Sequence, residues 1–151
     1  MSGFLVDTSV ISIFAPGRQA VPLALQHWIV DQGARGALFV SSIVILEIQR
    51  GISRLRRAGG TTRASGLDHW LGSLLVDFRE QTLSVDTEIA RLAGEIEDAA
   101  IARGRNPGLA DILNAATALT HDLTVVTSNM RHFEPLGVRH LDPFKDNLPS
   151  G

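Results

Sequence analysis

The chain has 151 residues, of which 44% are hydrophobic and 20% are charged, and its net charge is −2 at pH 7. This length suits one domain with a substantial core, and the charge excludes a protein that is basic overall, although a local basic patch remains compatible with it. The absence of cysteine excludes disulfides, iron–sulfur clusters and thiolate zinc sites.

The N-terminal part of the chain alternates between strand-like and helix-like segments. Residues 3–7 form an apolar run that predicts a first strand, and a short helix should follow and end before Pro16. Apolar residues at helical spacing predict a helix over residues 21–32, ended by Gly33. Residues 37–40 are short and apolar, which indicates a second strand.

The middle of the chain is mainly helical. Ser41 or Ser42 is a suitable N-cap for a helix that runs to about residue 57. Glycines and threonines at 58–62 predict a break, and the leucine pattern predicts another helix from residue 67 to about residue 80.

The last third repeats the alternation. Residues 82–85 are a strand candidate, and Asp86 can cap the helix after it. Asn106 followed by Pro107 resembles an N-cap with proline at the first helical position. The remaining predicted elements are a helix to about residue 121 and strands over residues 123–127 and 138–141.

This order of elements predicts an α/β fold. Strands that alternate with helices favour a parallel sheet, and strands that are apolar throughout suit a sheet covered on both faces. We expect a single domain over residues 1–143 and a polar, loose tail over residues 144–151.

The sequence carries no sign of export or membrane insertion. The N-terminus lacks the features of a signal peptide. The chain has no run of about 18 apolar residues, the minimum for a transmembrane helix. We therefore expect a cytoplasmic protein without a membrane segment.

Acidic and amide side chains fall where such a sheet would form a site. In open parallel sheets, ligands bind outside the carboxyl ends of the strands. Asp7 ends the first strand, Glu47 lies in the helix after the second, and Asp111 begins the helix before the strand that Asn129 follows. These four side chains, distant in sequence, are therefore predicted to meet at one edge.

Each of these residues also has an ordinary structural explanation. Asp7 could cap the short helix, and Glu47 could face solvent from its helix. Asp111 could interact with the helix dipole, and Asn129 alone is a common turn residue.

A carboxylate cluster favours a hard divalent cation. Oxygen ligands suit Mg²⁺ or Mn²⁺, and a carboxylate-held ion commonly serves phosphoryl chemistry. The five histidines show no paired helical spacing for zinc, so we interpret them as surface or structural residues.

Four segments together resemble the PIN-domain family, and more narrowly the VapC/FitB-like toxins of bacterial toxin–antitoxin pairs. They are "FLVDTSVIS", "SSIVILEIQRG", "GLADILNAATAL" and "LTVVTSNMRHFEPLGV", in an order and spacing that cover nearly the whole chain. The resemblance implies a three-layer α/β/α sandwich with a central parallel sheet of four to five strands.

The resemblance also implies a function: a Mg²⁺- or Mn²⁺-dependent endoribonuclease toxin, in which activated water attacks the phosphodiester and leaves a 5′-phosphate and a 3′-hydroxyl. The resemblance implies as partners an RNA substrate, a small antitoxin with a DNA-binding domain, and a second copy of the chain in a homodimer or a larger toxin–antitoxin assembly.

The family pattern assigns roles to particular residues. Asp7, Glu47, Asp111 and Asn129 match the catalytic positions; the three acids are the implied metal ligands, Glu47 either directly or through water. The residues that match or adjoin supporting positions are Thr8, Ser9, Asn114 and Thr127.

Two residues depart from the family pattern, and a third matches a position that is aspartate in some members and asparagine in others. Ser128 stands where an arginine is common, and Asn114 stands where an apolar residue is usual. The amide of Asn129 lowers the negative charge of the site relative to members with aspartate there, so we expect one firmly held ion rather than two.

A basic helical face lies near Glu47 in the sequence. Arg50, Arg54 and Arg57 follow at helical spacing, so they share one face. This face is either a solvated helix surface or a contact for the RNA backbone or the antitoxin.

Two other functions compete with a nuclease. The first is a PIN-like module that binds RNA or a partner and cuts weakly or not at all, because of Asn129. The second is a receiver or a haloacid-dehalogenase-like phosphatase. The sequence disfavours it, because Ser9 stands where such a phosphatase needs a second acid and the terminal strand lacks a receiver's lysine.

Overall fold

A five-stranded parallel sheet forms the centre of the protein, in a computed structural model that describes residues 3–18 and 20–150. The strands are β1 (Phe4–Val6), β2 (Leu38–Ser41), β3 (Thr82–Leu83), β4 (Thr124–Val126) and β5 (His140–Leu141). Their order across the sheet is β3-β2-β1-β4-β5, and every neighbouring pair is parallel. Because β1 is central, the residue that follows it lies at the middle of the carboxyl edge.

Helices connect the strands. They are α1 (Thr8–Ile11), α2 (Leu23–Ala34), α3 (Ser42–Arg57), α4 (Thr61–Asp77), α5 (Thr87–Ala102), α6 (Leu109–Thr120) and α7 (Met130–Phe133). Short 3₁₀ turns cover Ser12–Phe14 and Glu134–Leu136.

The sheet separates two hydrophobic cores, because successive side chains of a strand point to opposite faces. Phe4 and Val6 pack with side chains of α2, α3 and α4, whereas Leu5 packs with side chains of α5 and α6. The predicted three-layer α/β/α sandwich with a parallel sheet is therefore confirmed.

Two predicted caps are confirmed. The Ser41 hydroxyl accepts from the Val44 amide at the start of α3, and the Asp86 carboxylate accepts from the Ile89 amide at the start of α5. The prediction that Asn106 caps α6 is wrong. That helix begins two residues later, with Gly108 at the N-cap position.

Other boundaries also differ from prediction. The helix predicted from residue 67 begins at Thr61, because Ala64 is fully buried and extends the apolar stripe by one turn. The helix predicted to end at Gly33 runs to Ala34, and Gly36 follows it with the positive φ of 66° that suits glycine. The third strand covers only Thr82–Leu83, shorter than predicted.

The C-terminal segment is mostly exposed but contacts the rest of the domain at Leu148 and Pro149, so the prediction of a loose tail is wrong only there. The Trp28 indole nitrogen donates to the Pro149 carbonyl at 2.9 Å, and the side chain of Leu148 packs against the core on the α2 side of the sheet. Among the residues that the structure describes, no helix is long and apolar enough to cross a membrane.

Candidate active site

Asp7 lies at the carboxyl end of the central strand, and its side chain is only 4% exposed. It occupies the N-cap position of α1, but its carboxylate makes no capping hydrogen bond. Oδ2 instead accepts from the hydroxyls of Ser9 and Thr127, both at 2.9 Å, and Oδ1 accepts from the Asn114 amide at 3.4 Å. The helix-cap explanation of Asp7 is therefore wrong.

Backbone amides after β4 fix the direction of both hydroxyls. The Ser128 amide donates to Ser9 Oγ at 3.1 Å, and the Asn129 amide donates to Thr127 Oγ1 at 3.0 Å. With an amide donating to each oxygen, each hydroxyl is free to point its single proton at the Asp7 carboxylate. These bonds tie the loop after β4 to the end of β1.

A second chain of hydrogen bonds reaches Asp7 from α3 through α6. The Val44 amide donates to the Ser41 hydroxyl, which donates to Asn114 Oδ1, so the Asn114 amide group faces Asp7. Asn114 is 1% exposed, and Ser41 is fully buried. Because the donors of this relay point towards Asp7, the departure from the apolar family pattern at position 114 supplies a polar support for the carboxylate.

Glu47 faces the site from α3. The Thr8 hydroxyl donates to Glu47 Oε1 at 2.7 Å, and the Arg50 guanidinium lies 4.0 Å from Oε2. Burial raises the pKa of Glu47, and the negative charges of Asp7 and Asp111 raise it further, against the hydrogen bond from Thr8.

Asp111 lies in the first turn of α6. Burial is the main cause of its raised pKa, with the charge of Asp7 adding to it, against the lowering effect of His132. His132 Nδ1 lies 3.0 Å from Asp111 Oδ2. We interpreted His132 as a surface or structural residue, so sequence reasoning missed its contact with the site. Its place three residues after Asn129 is the signal that could have indicated it.

Asn129 lies at the rim. It is exposed and occupies the N-cap position of α7, where its side chain makes no capping hydrogen bond. Its backbone amide connects it to Thr127, so position 129 borders the Asp7 network.

The three acids influence one another electrostatically without forming a tight cluster. The charge of Asp7 acts on the pKa of both Glu47 and Asp111. Within residues 3–18 and 20–150, no group of three or more His, Cys, Asp or Glu side chains is close enough together to be ready to hold a metal ion. The donor chemistry nevertheless fits a hard cation, because all candidate ligand atoms are carboxylate oxygens that repel each other.

Two cavities open on either side of the acids. One, of about 370 Å³, lies between α3 and α4 and includes Glu47 with apolar side chains such as Leu55, Leu67 and Trp70. The other, of about 310 Å³, includes Asp111 and Arg131. The predicted basic face of α3 is exposed at Arg50, Arg54 and Arg57, and only the first of these approaches an acid of the site.

Comparison with known sequences finds a matching family model and three relatives that align over nearly the whole chain. The sequence profile of the PIN domain matches residues 4–136. The plasmid stability protein StbB of Pseudomonas syringae pv. tomato is 30% identical over 145 residues, which cover 93% of this chain and 98% of that protein. The toxin FitB of Neisseria gonorrhoeae is 28% identical, covering 94% and 99% of the two chains. The VapC ribonuclease Y4jK of Sinorhizobium fredii is 27% identical, covering 93% and 97%.

Solved structures agree with this assignment. The FitAcB structure from Neisseria gonorrhoeae superposes with a TM-score of 0.76 at 26% identity, covering 95% of this chain and 99% of that one. The DNA-bound VapBC structure from Salmonella typhimurium shares the fold with a TM-score of 0.78 at 22% identity, covering 94% and 98%.

Proposed function

We propose, because the chain belongs to the PIN-domain family, that it is a metal-dependent endoribonuclease and the toxin of a toxin–antitoxin pair. The observation that carries the proposal is the environment of Asp7. Its buried carboxylate accepts from two hydroxyls and an amide, all of them neutral, and its charge adds to the larger effect of burial in raising the pKa of Glu47 and Asp111. Such an arrangement holds negative charge in place without neutralising it, which suits a site for a cation.

The ligand assignment follows from these contacts. Asp7 and Asp111 would hold Mg²⁺ or Mn²⁺, and Glu47 would contribute directly or through water, since carboxylate oxygens suit either ion. When bound, the ion would activate water and stabilise the charge that develops on the phosphodiester, leaving a 5′-phosphate and a 3′-hydroxyl.

The other residues of the site position these acids. Ser9, Thr127 and Asn114 orient the Asp7 carboxylate, and the Thr8 hydroxyl holds one oxygen of Glu47. Thr8 thereby fixes the direction in which Glu47 would meet the ion or its bound water. Asn129 would contribute its amide at the rim.

The partners follow from the relatives. One relative is named a toxin, and the structure of another is titled a DNA-bound VapBC complex. We therefore propose that a small antitoxin with a DNA-binding domain inhibits this chain, and that the chain pairs with a second copy of itself in the cytoplasm. The cavity between α3 and α4 would receive an apolar antitoxin segment beside Glu47.

The second candidate function is a PIN-like module that binds RNA or a partner with weak or no cleavage. The presence of an amide at Asn129, a position that is aspartate in some members of the family and asparagine in others, favours it.

The test is cleavage of single-stranded RNA by purified protein with Mg²⁺ or Mn²⁺. We expect wild-type protein to cut, and Asp7→Asn and Asp111→Asn to lose cleavage and growth inhibition. Asp86→Asn is the matched control, because it is an exposed acid that caps α5 and asparagine caps equally well. Full cleavage by both site variants would refute the site assignment, and RNA binding without cleavage by wild-type protein would favour the second function.

A further inference from the structure

The cavity beside Asp111 continues into a second cavity on the outer surface. The first, of about 310 Å³, is lined by Arg105, Asn106, Asp111, Arg131, His132 and Pro135, together with Pro107 and Gly108. The adjoining cavity, of about 300 Å³, is lined by Arg103, Arg105, Glu134 and Pro135. Arg105 and Pro135 line both cavities, so the two form one groove that leads outward from Asp111; we call it the arginine groove.

Among the residues that the structure describes, ion pairs do not neutralise the positive charge of this groove. Arg105 and Arg131 are exposed, and within residues 3–18 and 20–150 neither forms a salt bridge. Asp111 is engaged by His132 instead, and Glu134 is the acid of the outer cavity. Two unpaired guanidinium groups beside the candidate metal site are positioned to meet an anion that approaches Asp111.

The walls of the groove are held in place. The Arg103 guanidinium donates to the Pro135 carbonyl and to the Ala99 carbonyl, which links the end of α5 to the turn after α7. Arg103 is thereby engaged in holding the wall, whereas Arg105 and Arg131 remain available for a ligand.

The lining favours phosphate over bases. The ring of His132 is the sole aromatic side chain among the residues that line the two cavities, and it already contacts Asp111, so the groove offers no free aromatic ring for base stacking. Guanidinium groups pair well with phosphate oxygens, in either one or two hydrogen bonds.

We propose that the arginine groove binds the RNA backbone, with Arg105 and Arg131 each contacting a phosphate next to the one that is cut. This inference rests on the proposed ribonuclease function and adds a substrate subsite to it.

The experiment measures RNA binding separately from cleavage. A fluorescently labelled single-stranded RNA is titrated with protein in EDTA, which prevents cleavage, at salt concentrations from about 50 to 200 mM. The test variant is Arg105→Ala with Arg131→Ala. The control is Arg35→Ala with Arg79→Ala, which removes two arginines from exposed positions that precede β2 and β3 at the opposite edge of the sheet, one of them, Arg35, paired with Asp31.

We expect the test variant to bind RNA about tenfold more weakly at low salt. The slope of the logarithm of the binding constant against the logarithm of the salt concentration should be shallower by about 1.4, because each lost phosphate contact on a single strand contributes about 0.7. The control should lose less affinity and keep the wild-type slope. Thermal unfolding should change little in both, because all four arginines are exposed and the Arg35–Asp31 pair lost in the control is a surface ion pair.

The outcomes separate this inference from the proposed function. If wild-type protein cuts RNA and the test variant binds RNA with the affinity and slope of the control, the arginine groove is refuted while the nuclease stands. If wild-type protein binds RNA through these arginines and does not cut, the groove stands and the nuclease is refuted. If wild-type protein does not bind RNA in EDTA, the arginine groove is refuted, and cleavage with Mg²⁺ or Mn²⁺ decides separately whether the nuclease stands.

Discussion

Thr127→Val tests whether the hydroxyl network holds Asp7 in place. Thr127 is fully buried, and valine replaces its hydroxyl with a methyl group of similar volume. The change removes the 2.9 Å hydrogen bond to the Asp7 carboxylate and the acceptor for the Asn129 amide. A hydrogen bond to a charged group contributes about 1.5–3 kcal/mol, whereas Asn129 is exposed and its amide can turn to water.

The expected cost is therefore close to that of the single charged hydrogen bond. We expect Thr127→Val to lower the free energy of unfolding by about 2 kcal/mol, which corresponds to a fall of about 4–8 °C in the unfolding temperature of a chain of this size. The same variant should lose cleavage activity, because the Asp7 carboxylate is less firmly oriented. Urea unfolding and RNA cleavage are the two measurements.

The control is Thr127→Ser, which keeps the hydroxyl and removes only a methyl group. It should retain most of the activity and cost about 0.5–1.5 kcal/mol, the usual range for losing one buried methyl group. If Thr127→Val is as stable as wild type while Thr127→Ser is destabilised, packing rather than the hydrogen bond determines stability at this position.

A double-mutant cycle, in which Thr127→Val is also measured in an Asp7→Ala background, tests the contact between the two side chains directly. When Asp7→Ala removes the carboxylate, the Thr127 hydroxyl loses its charged acceptor and keeps only the neutral Ser9 hydroxyl, 3.2 Å away, as a side-chain partner. Replacing the Thr127 hydroxyl by valine should then cost less than in the wild-type background, because a hydrogen bond between neutral groups contributes only about 0.5–1.5 kcal/mol. An equal cost of Thr127→Val in both backgrounds would contradict the proposed contact.

Three further predictions concern charge and metal. Glu47→Gln should be more stable than wild type at pH 7 and not below about pH 4. Because the pKa of Glu47 is raised in the folded protein, its protonated side chain contributes stability that is fully present below the ordinary pKa of 4.5. That contribution is lost as the pH rises through the pKa of Glu47 in the folded protein, and thermal unfolding at both pH values checks this. Mn²⁺ at a hundred times its dissociation constant should stabilise wild-type protein by about 2.7 kcal/mol, and Asp7→Asn should lose most of this gain; equal shifts of the unfolding temperature would place the ion elsewhere. Asn129→Asp should bind Mn²⁺ more tightly in calorimetry, and unchanged affinity would show that position 129 does not face the ion.

The convergence of the acids could be predicted from the sequence because it depends on strand order alone. In a parallel sheet, side chains that follow neighbouring strands meet at the carboxyl edge, whatever the details of the loops. Asp7 and Asn129 follow β1 and β4, which are adjacent in the sheet, and Glu47 lies in the helix after β2. The pattern of apolar residues was sufficient to locate these strands.

The contacts of His132 could not be predicted in the same way. His132 meets Asp111 because α7 folds back over the start of α6, and no periodicity in the sequence records that approach. The early start of α4 has a similar origin, since the burial of Ala64 depends on how α4 packs against other helices. Both are tertiary contacts between segments that are separately compatible with several arrangements.

The chemistry of the supports explains why Asp7 is suited to a ligand rather than to structure. A buried carboxylate paired with arginine or lysine would already be neutralised, and a bound cation would have to compete with that pair. Here the Asp7 donors are hydroxyls and an amide, which fix the geometry of the carboxylate and leave its charge uncompensated. Burial is the main cause of the raised pKa of Glu47 and of Asp111, and the charge of Asp7 adds to it, so all three acids would gain from the same ion. The destabilising repulsion in the folded protein is therefore the feature that a divalent cation would relieve.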